Sequence, residues 1–149
     1  MSKEHYAEYP ITSAKEFVRL RDSQIPQEYE QAAYRPISAS VCREIIENYP
    51  EMKKWVIHNK TVPMEILEEL SSDKNVNIRD AVLGKKNSVT ILEKLSSDPE
   101  PHIRFLVAGK PNTALDILKR LAMDPEPNVR IRAQRRLNNE DYLFDWNEF

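Results

Sequence analysis

Apolar residues recur in register along most of this 149-residue chain. When the sequence is divided into blocks of 25 or 26 residues, aliphatic side chains fall in the same columns of successive blocks. Four columns are apolar throughout: Met52, Ile78, Ile103 and Val129; Val56, Val82, Val107 and Ala133; Leu67, Leu92 and Leu118; and Leu70, Leu95 and Leu121. A fixed period of this length is typical of stacked helical units with one continuous core, so these columns are predicted to be buried.

The later blocks open with a helix-start signal. The phrase DPEPHIR starts at Asp98, and DPEPNVR starts 26 residues later at Asp124. Asp98 is expected to cap free N–H groups, and Pro99 to occupy the first helical position, where its missing N–H is not needed. Gly109 suits the left-handed conformation that closes a helix, so the signals predict a helix over about 99–108.

A second helix is predicted in each block. Thr113, with an aspartate three residues later, forms a variant of the capping box and indicates the start of a leucine-rich helix. Two blocks upstream, Pro50 is expected to open a first helix and Thr61 to cap a second one. A hairpin of two short helices is too small to bury its own apolar face, so each hairpin needs neighbours.

These signals predict an all-α fold, an α-solenoid of about four to five short helical hairpins. Near the N-terminus the repeat is poorly kept, and Ser13 with Glu16 forms a capping box for a leading helix. Terminal repeats are expected to deviate because one of their sides faces water. The prediction divides a single domain, 1–149, into irregular N-terminal capping helices (1–46), regular repeats (47–137) and an acidic aromatic tail (138–149).

The repeated text resembles a known family. A phrase of the form DPxPxVRxxVAxN, followed by a leucine-rich second helix at a period near 25, resembles the leucine-rich repeat variant group of HEAT-like α-solenoids. The resemblance covers roughly 47–137 and continues weakly toward residue 22. It implies a right-handed solenoid. Some members of that group carry an N-terminal cysteine cluster that binds an iron–sulfur centre. Cys42 is the only cysteine in this chain, so the resemblance does not imply an iron–sulfur cofactor here.

Composition narrows the class of protein. A net charge of -2, with 31% charged and 40% apolar residues, is typical of a globular domain rather than a disordered chain. One cysteine excludes an internal disulfide framework and any metal site made of several thiolates. The first residues lack a secretory signal, and no apolar run is long enough to span a membrane, so a cytoplasmic monomer is expected.

Residues typical of catalysis are sparse. The only two glycines, Gly84 and Gly109, share one repeat position, so no glycine-rich phosphate loop is present. The three histidines lack metal-ligand spacing, and Cys42 lies in an apolar helical pattern that indicates a core position. The sequence therefore predicts neither enzymatic activity nor a bound metal or cofactor.

Two charged columns accompany the apolar ones. The basic column is Lys53, Arg79, Arg104 and Arg130, and the acidic column is Glu47, Asp73, Asp98 and Asp124. The basic column could bind phosphates. We favour a structural ladder in which each aspartate caps its helix and each arginine pairs with a neighbouring carboxylate or carbonyl, because strict periodicity is what a structural role demands.

Positions that break the pattern are the candidate binding residues. Phe105 and Ile131 occupy a column that begins with Lys54 and Asp80, and they could form an apolar patch or lie beneath the C-terminal tail. A basic surplus in the later repeats could attract an acidic partner or could be an ordinary solvated surface. Its candidate contact residues are Lys85, Lys86, Lys110, Lys119, Arg120 and Arg132.

The tail mixes acids with aromatic residues, among them Tyr142, Phe144 and Trp146. It could insert into a basic cleft of a partner or cap the last repeat. The leading hypothesis is a non-catalytic scaffold that binds another protein through its solenoid face, its tail or both. One alternative is an immunity or antitoxin protein that occludes a toxin active site. Another is a HEAT-like nucleic-acid-binding protein, which the net acidic charge makes less favourable.

Overall fold

The computed structural model describes residues 3–139, with side chains described from His5 onward. This part of the chain is all-helical, with ten α-helices and two short 3-10 segments. A single isolated parallel bridge joins Ile11 to Ile37 within it. The chain divides into two compact units, 1–85 and 86–149.

The first unit holds six α-helices. They are α1 (Ala14–Asp22), α2 (Pro26–Tyr34), α3 (Ala39–Asn48), α4 (Lys53–His58), α5 (Met64–Leu70) and α6 (Val76–Leu83), with 3-10 segments at Lys3–Glu8 and Pro50–Met52. Helix α1 packs against α2 and α3, α3 packs against α4 and α5, and α6 packs against α4 and α5. The core near the N-terminus includes Phe17, Leu20 and Ile45.

Two of the predicted starts in this unit are confirmed and one is wrong. Oγ of Ser13 accepts a hydrogen bond from the Glu16 N–H at 3.2 Å, and the Glu16 carboxylate accepts one from the Thr12 N–H at 3.0 Å. Pro50 opens the 3-10 turn that leads into α4. Thr61 does not cap α5, which begins after Pro63, because its hydroxyl donates to Oδ1 of Asn59 at 2.9 Å.

The second unit is described through four α-helices. They are α7 (Val89–Leu95), α8 (Pro101–Gly109), α9 (Leu115–Leu121) and α10 (Pro127–Leu137). Helix α8 packs against α7, α9 and α10, and α9 also packs against α10.

The proline-rich phrase begins its helix two residues later than the sequence signals predict. Pro101, rather than Pro99, takes the first helical position of α8. Oδ1 of Asp98 accepts a hydrogen bond from the Glu100 N–H at 2.9 Å, which closes a turn just before the helix. Asp124 accepts from the Glu126 N–H at the same distance before α10. The aspartates therefore order the turn instead of capping the helix itself.

Two other predictions at helix ends are wrong. Neither glycine adopts a positive φ angle, so Gly109 does not close α8 in the left-handed region. A Cβ atom at Gly109 would instead overlap the guanidinium of Arg132, so a larger residue there would displace that side chain. Thr113 does not cap α9, because its buried hydroxyl donates to the Val107 carbonyl at 2.6 Å and Ala114 stands at the cap position.

The apolar columns are confirmed as core. Every residue in the four columns is buried, from Met52 near the start of the regular repeats to Ala133 in α10. Within residues 3–139, no helix has the length and apolar character required to cross a membrane.

Candidate binding surfaces

The paired charged columns form short contacts inside each unit. In the first unit, Nζ of Lys53 lies 2.6 Å from Oδ2 of Asp73. In the second, Nε and Nη2 of Arg104 donate to the two carboxylate oxygens of Asp124 at 2.7 and 3.0 Å. This bidentate hydrogen bond lowers the pKa of Asp124 and raises the pKa of Arg104.

Each arginine of the basic column also holds the turn before its own helix. Nη1 of Arg79 donates to the Asp73 carbonyl at 2.9 Å, and Nη1 of Arg104 donates to the Asp98 carbonyl at 2.8 Å. Nη1 of Arg130 makes the same bond to the Asp124 carbonyl at 2.7 Å. The same bond therefore recurs at every arginine of the column. It was not predicted from the sequence, because the partner of each arginine was expected in a neighbouring repeat.

The ring of Phe105 is in contact with the side chain of Arg132. The guanidinium carbon of Arg132 sits 4.3 Å from the centre of the Phe105 ring, a cation–π contact. A hollow of about 450 Å³ adjoins the ring and is also lined by His102 and Val129. Ile131 precedes Arg132 on α10 and is 46% exposed. We call Phe105, Arg132 and this hollow the Phe105 surface.

The predicted basic residues have different environments. Nζ of Lys85 donates to the Asn59 carbonyl at 3.1 Å, and burial lowers the pKa of Lys110. Nη2 of Arg120 pairs with Oε1 of Glu93 at 2.6 Å. Lys86 and Lys119 are exposed. Tyr142, Phe144 and Trp146 lie outside the described residues.

A second candidate surface lies in the first unit, and none of its residues was named from the sequence as a candidate for binding. The guanidinium carbon of Arg21 sits 3.3 Å from the ring centre of Trp55 and 4.6 Å from that of Tyr29. A hollow of about 370 Å³ is lined by Arg21 and these rings together with Phe17 and Tyr34. A second hollow of about 680 Å³ shares Arg21, Trp55 and Tyr29. We call the two hollows the Arg21 cleft.

The Arg21 cleft contains an unpaired donor and several cations. Nε of Arg21 is buried without a hydrogen-bond partner in the described part of the chain. His58 lies 5.6 Å from Trp55, measured between ring centres, and lines the same hollow as Lys60. Burial lowers the pKa of His58, and Lys54, Lys60 and other nearby cations lower it further. Glu30 lines the first hollow and Asp22 the second.

The Arg21 cleft was missed because its residues follow no common period. Arg21 comes from α1, Tyr29 from α2 and Trp55 from α4, so only packing of these helices brings them together. One available signal was Trp55, since the same repeat column continues with Ala81, Leu106 and Arg132. An indole in a column whose residue type is not kept indicates a local role.

Cys42 is the one cysteine of the chain, and it lies in the core. Cys42 is fully buried in α3, and burial raises the pKa of its thiol to about 12, as expected for a core position. No cluster of three or more histidine, cysteine, aspartate or glutamate side chains suited to a metal ion occurs among the residues that the structure describes.

The chain was also compared with known proteins. It matches no protein-family model, no curated protein and no solved structure.

Proposed function

We propose that the protein is a non-catalytic module that binds another protein in the cytoplasm. The observation that carries this proposal is the Phe105 surface, where a partly buried ring, an arginine and a hollow adjoin one another. Aromatic and arginine side chains are the types that dominate binding energy at protein interfaces. The exposed Ile131 beside Arg132 adds apolar area for contact.

The proposal includes a right-handed solenoid formed by the hairpins within 47–137. Its support is the repetition of one local structure at 25 or 26 residues. The arginine bond to an aspartate carbonyl recurs at Arg79, Arg104 and Arg130, and the aspartate turn recurs at Asp98 and Asp124. Repeats of identical local structure are suited to stacking into an extended binding surface.

The contacts of the basic residues favour a protein over a nucleic acid as the partner. Arg104 and Arg120 pair with carboxylates, and Arg136 donates to the Lys110 carbonyl at 2.7 Å. Nucleic-acid binding instead requires cations that are free to contact successive phosphates.

The test compares substitutions at two exposed apolar residues of the second unit. Ile131→Asp places a charge beside the Phe105 surface, while Val89→Asp places one on α7, and both side chains are exposed enough for the fold to tolerate them. Each protein is immobilised, exposed to lysate of the native cells, and the captured proteins are quantified by mass spectrometry. We expect a partner that Val89→Asp retains and Ile131→Asp loses by about tenfold or more.

Circular dichroism must first show that both variants are folded. Equal capture by the two variants would reject the Phe105 surface as the binding site. Recovery of nucleic acid by the wild-type chain, with no protein recovered, would replace the proposed function.

A further inference from the structure

We propose that the Arg21 cleft binds an acidic peptide segment, with a carboxylate on Arg21 and a neighbouring aromatic side chain in the first hollow. This inference goes beyond the proposed function because it assigns a second site, in the first unit, and the chemistry of its ligand. It rests on the orientation of Arg21, the charges around it and the shape of the two hollows.

Arg21 is oriented to bind an anion. Its guanidinium is in contact with the rings of Trp55 and Tyr29, which restrict its plane, while Nε is buried without a partner in the described chain. That nitrogen is closed to solvent, so a ligand in the cleft meets the other donors of the guanidinium, since Arg21 as a whole is only partly buried. Guanidinium donors match the two oxygens of a carboxylate, and a ring-stacked arginine loses little side-chain entropy on binding.

The surrounding charges also favour an anionic ligand. Lys60 lines the first hollow, and Lys54 and Lys85 lie close enough to His58 to disfavour a further positive charge there. Glu30 and Asp22 provide the opposing charge. The two lining cations, Arg21 and Lys60, are therefore matched by the two lining carboxylates. The positive surplus comes from Lys54 and Lys85 near His58, and an acidic segment complements it.

The shape indicates a peptide. The first hollow, of about 370 Å³, is near the lower limit for a ligand pocket and has aromatic walls, which suits one aromatic side chain. The second hollow shares Arg21, Trp55 and Tyr29 with it, so a chain can continue past the arginine. Because Arg21 covers one face of each ring, those faces are not available to stack nucleic-acid bases.

The experiment uses the full chain and a fluorescein-labelled peptide, GEDFEDG, measured by fluorescence anisotropy at low salt. A matched peptide, GQNFQNG, replaces each acid by its amide, and a third, GEDAEDG, removes the ring. We expect the acidic aromatic peptide to bind, the amide peptide to bind about tenfold more weakly or worse, and binding to weaken as salt is added. The peptide without a ring should also bind more weakly, because the first hollow then stays empty.

Two arginines of the same helix supply the matched variants. Arg21→Gln removes the stacked cation, and Arg19→Gln removes an arginine that is 59% exposed and pairs with Glu28. We expect the peptide dissociation constant to rise about tenfold or more in Arg21→Gln and to change less than about twofold in Arg19→Gln. Should Arg21→Gln unfold, Lys60→Gln tests the same cleft through an exposed cation, with an expected loss of about threefold.

The remaining outcomes would overturn the inference. One is that GEDFEDG does not bind at millimolar concentration. Another is that the amide peptide binds with the same affinity as GEDFEDG. A third is that every folded cleft variant binds GEDFEDG with the same affinity as Arg19→Gln. Preferential binding of a single-stranded oligothymidylate would show a nucleic-acid surface instead. Failure here leaves the proposed function standing, because that proposal is tested at Ile131 in α10.

Discussion

Asp124 makes three hydrogen bonds with one carboxylate group. Two come from Arg104 and one comes from the Glu126 N–H, and only 6% of the side chain is exposed. Arg120 and Glu93 form an ion pair of similar length in the same unit, but about half of each side chain is in solvent. Loss of the buried Asp124–Arg104 pair is therefore expected to destabilise the fold more than loss of the exposed Arg120–Glu93 pair.

We predict that Asp124→Asn lowers the free energy of unfolding by about 2 kcal/mol, because Arg104 then loses the charged acceptor of its two hydrogen bonds. The matched change Glu93→Gln should lower it by less than about 1 kcal/mol. Urea unfolding followed by circular dichroism measures both values. Similar losses in the two variants would contradict the structural role given to the Asp124 pair.

Gly109 lies where the end of α8 meets α10. Its missing side chain leaves room for the Arg132 guanidinium, which in turn covers Phe105. Because the φ angle of Gly109 is not positive, the backbone itself would accept alanine. The restriction at this helix end is therefore imposed by a side chain from another helix.

This restriction predicts a coupling between two substitutions. In the Arg132→Ala background, Gly109→Ala should stabilise the protein by up to about 1 kcal/mol, since alanine favours the helix and the space is free. In the wild-type chain the same change displaces Arg132 from Phe105, so this gain should be reduced by about 1 kcal/mol. The four free energies of unfolding form a double-mutant cycle, and a coupling near zero would contradict the packing described.

Element boundaries show where sequence reasoning succeeds and where it stops. The buried columns could be predicted because burial repeats with the helix pair, as at Val107 and Leu118. The start of α8 could not, because Pro99 and Pro101 both satisfy the rule for a first helical position. The hydrogen bond from the Glu100 N–H to Asp98 closes the turn before the helix, and α8 then begins at Pro101. Thr113 was misassigned because its acceptor, the Val107 carbonyl, lies six residues earlier.

The Arg21 cleft could not be predicted from the repeat pattern. Periodicity relates equivalent positions of successive repeats, but this cleft joins α1, α2 and α4 through non-equivalent residues. No role was assigned from the sequence to Arg21, Tyr29 or Trp55, which lie up to 34 positions apart in the chain. Tertiary packing brings them together.

Both units contain carboxyl groups whose pKa values lie below the ordinary ones. Burial alone would raise the pKa values of Glu16 and Asp73, but hydrogen bonds and cations hold both below their ordinary values. The bonds from Arg104 lower the pKa of Asp124. A carboxyl group whose folded pKa is depressed stabilises the fold above its unfolded pKa, and that stability is lost as pH falls through the folded pKa.

Acidification should therefore destabilise the protein below about pH 4.5, the ordinary value for glutamate, and continue below 3.8, that for aspartate. Free energies of unfolding in urea at pH 7, 5, 4, 3 and 2 test this, with Asp124→Asn as the comparison. We expect the acid-dependent loss to be smaller in the variant, because one of the contributing carboxyl groups is absent. Parallel curves for the two proteins would show that Asp124 does not contribute.

The burial of Cys42 makes the natural chain convenient for site-specific labelling. Maleimide reagents react with the exposed thiolate, and this thiol is both fully buried and protonated at neutral pH. A cysteine introduced at Met123, which is 82% exposed, would therefore take up a fluorophore or spin label selectively without removal of Cys42. The local motion of the second unit around this position can be followed in this way while the core remains unaltered.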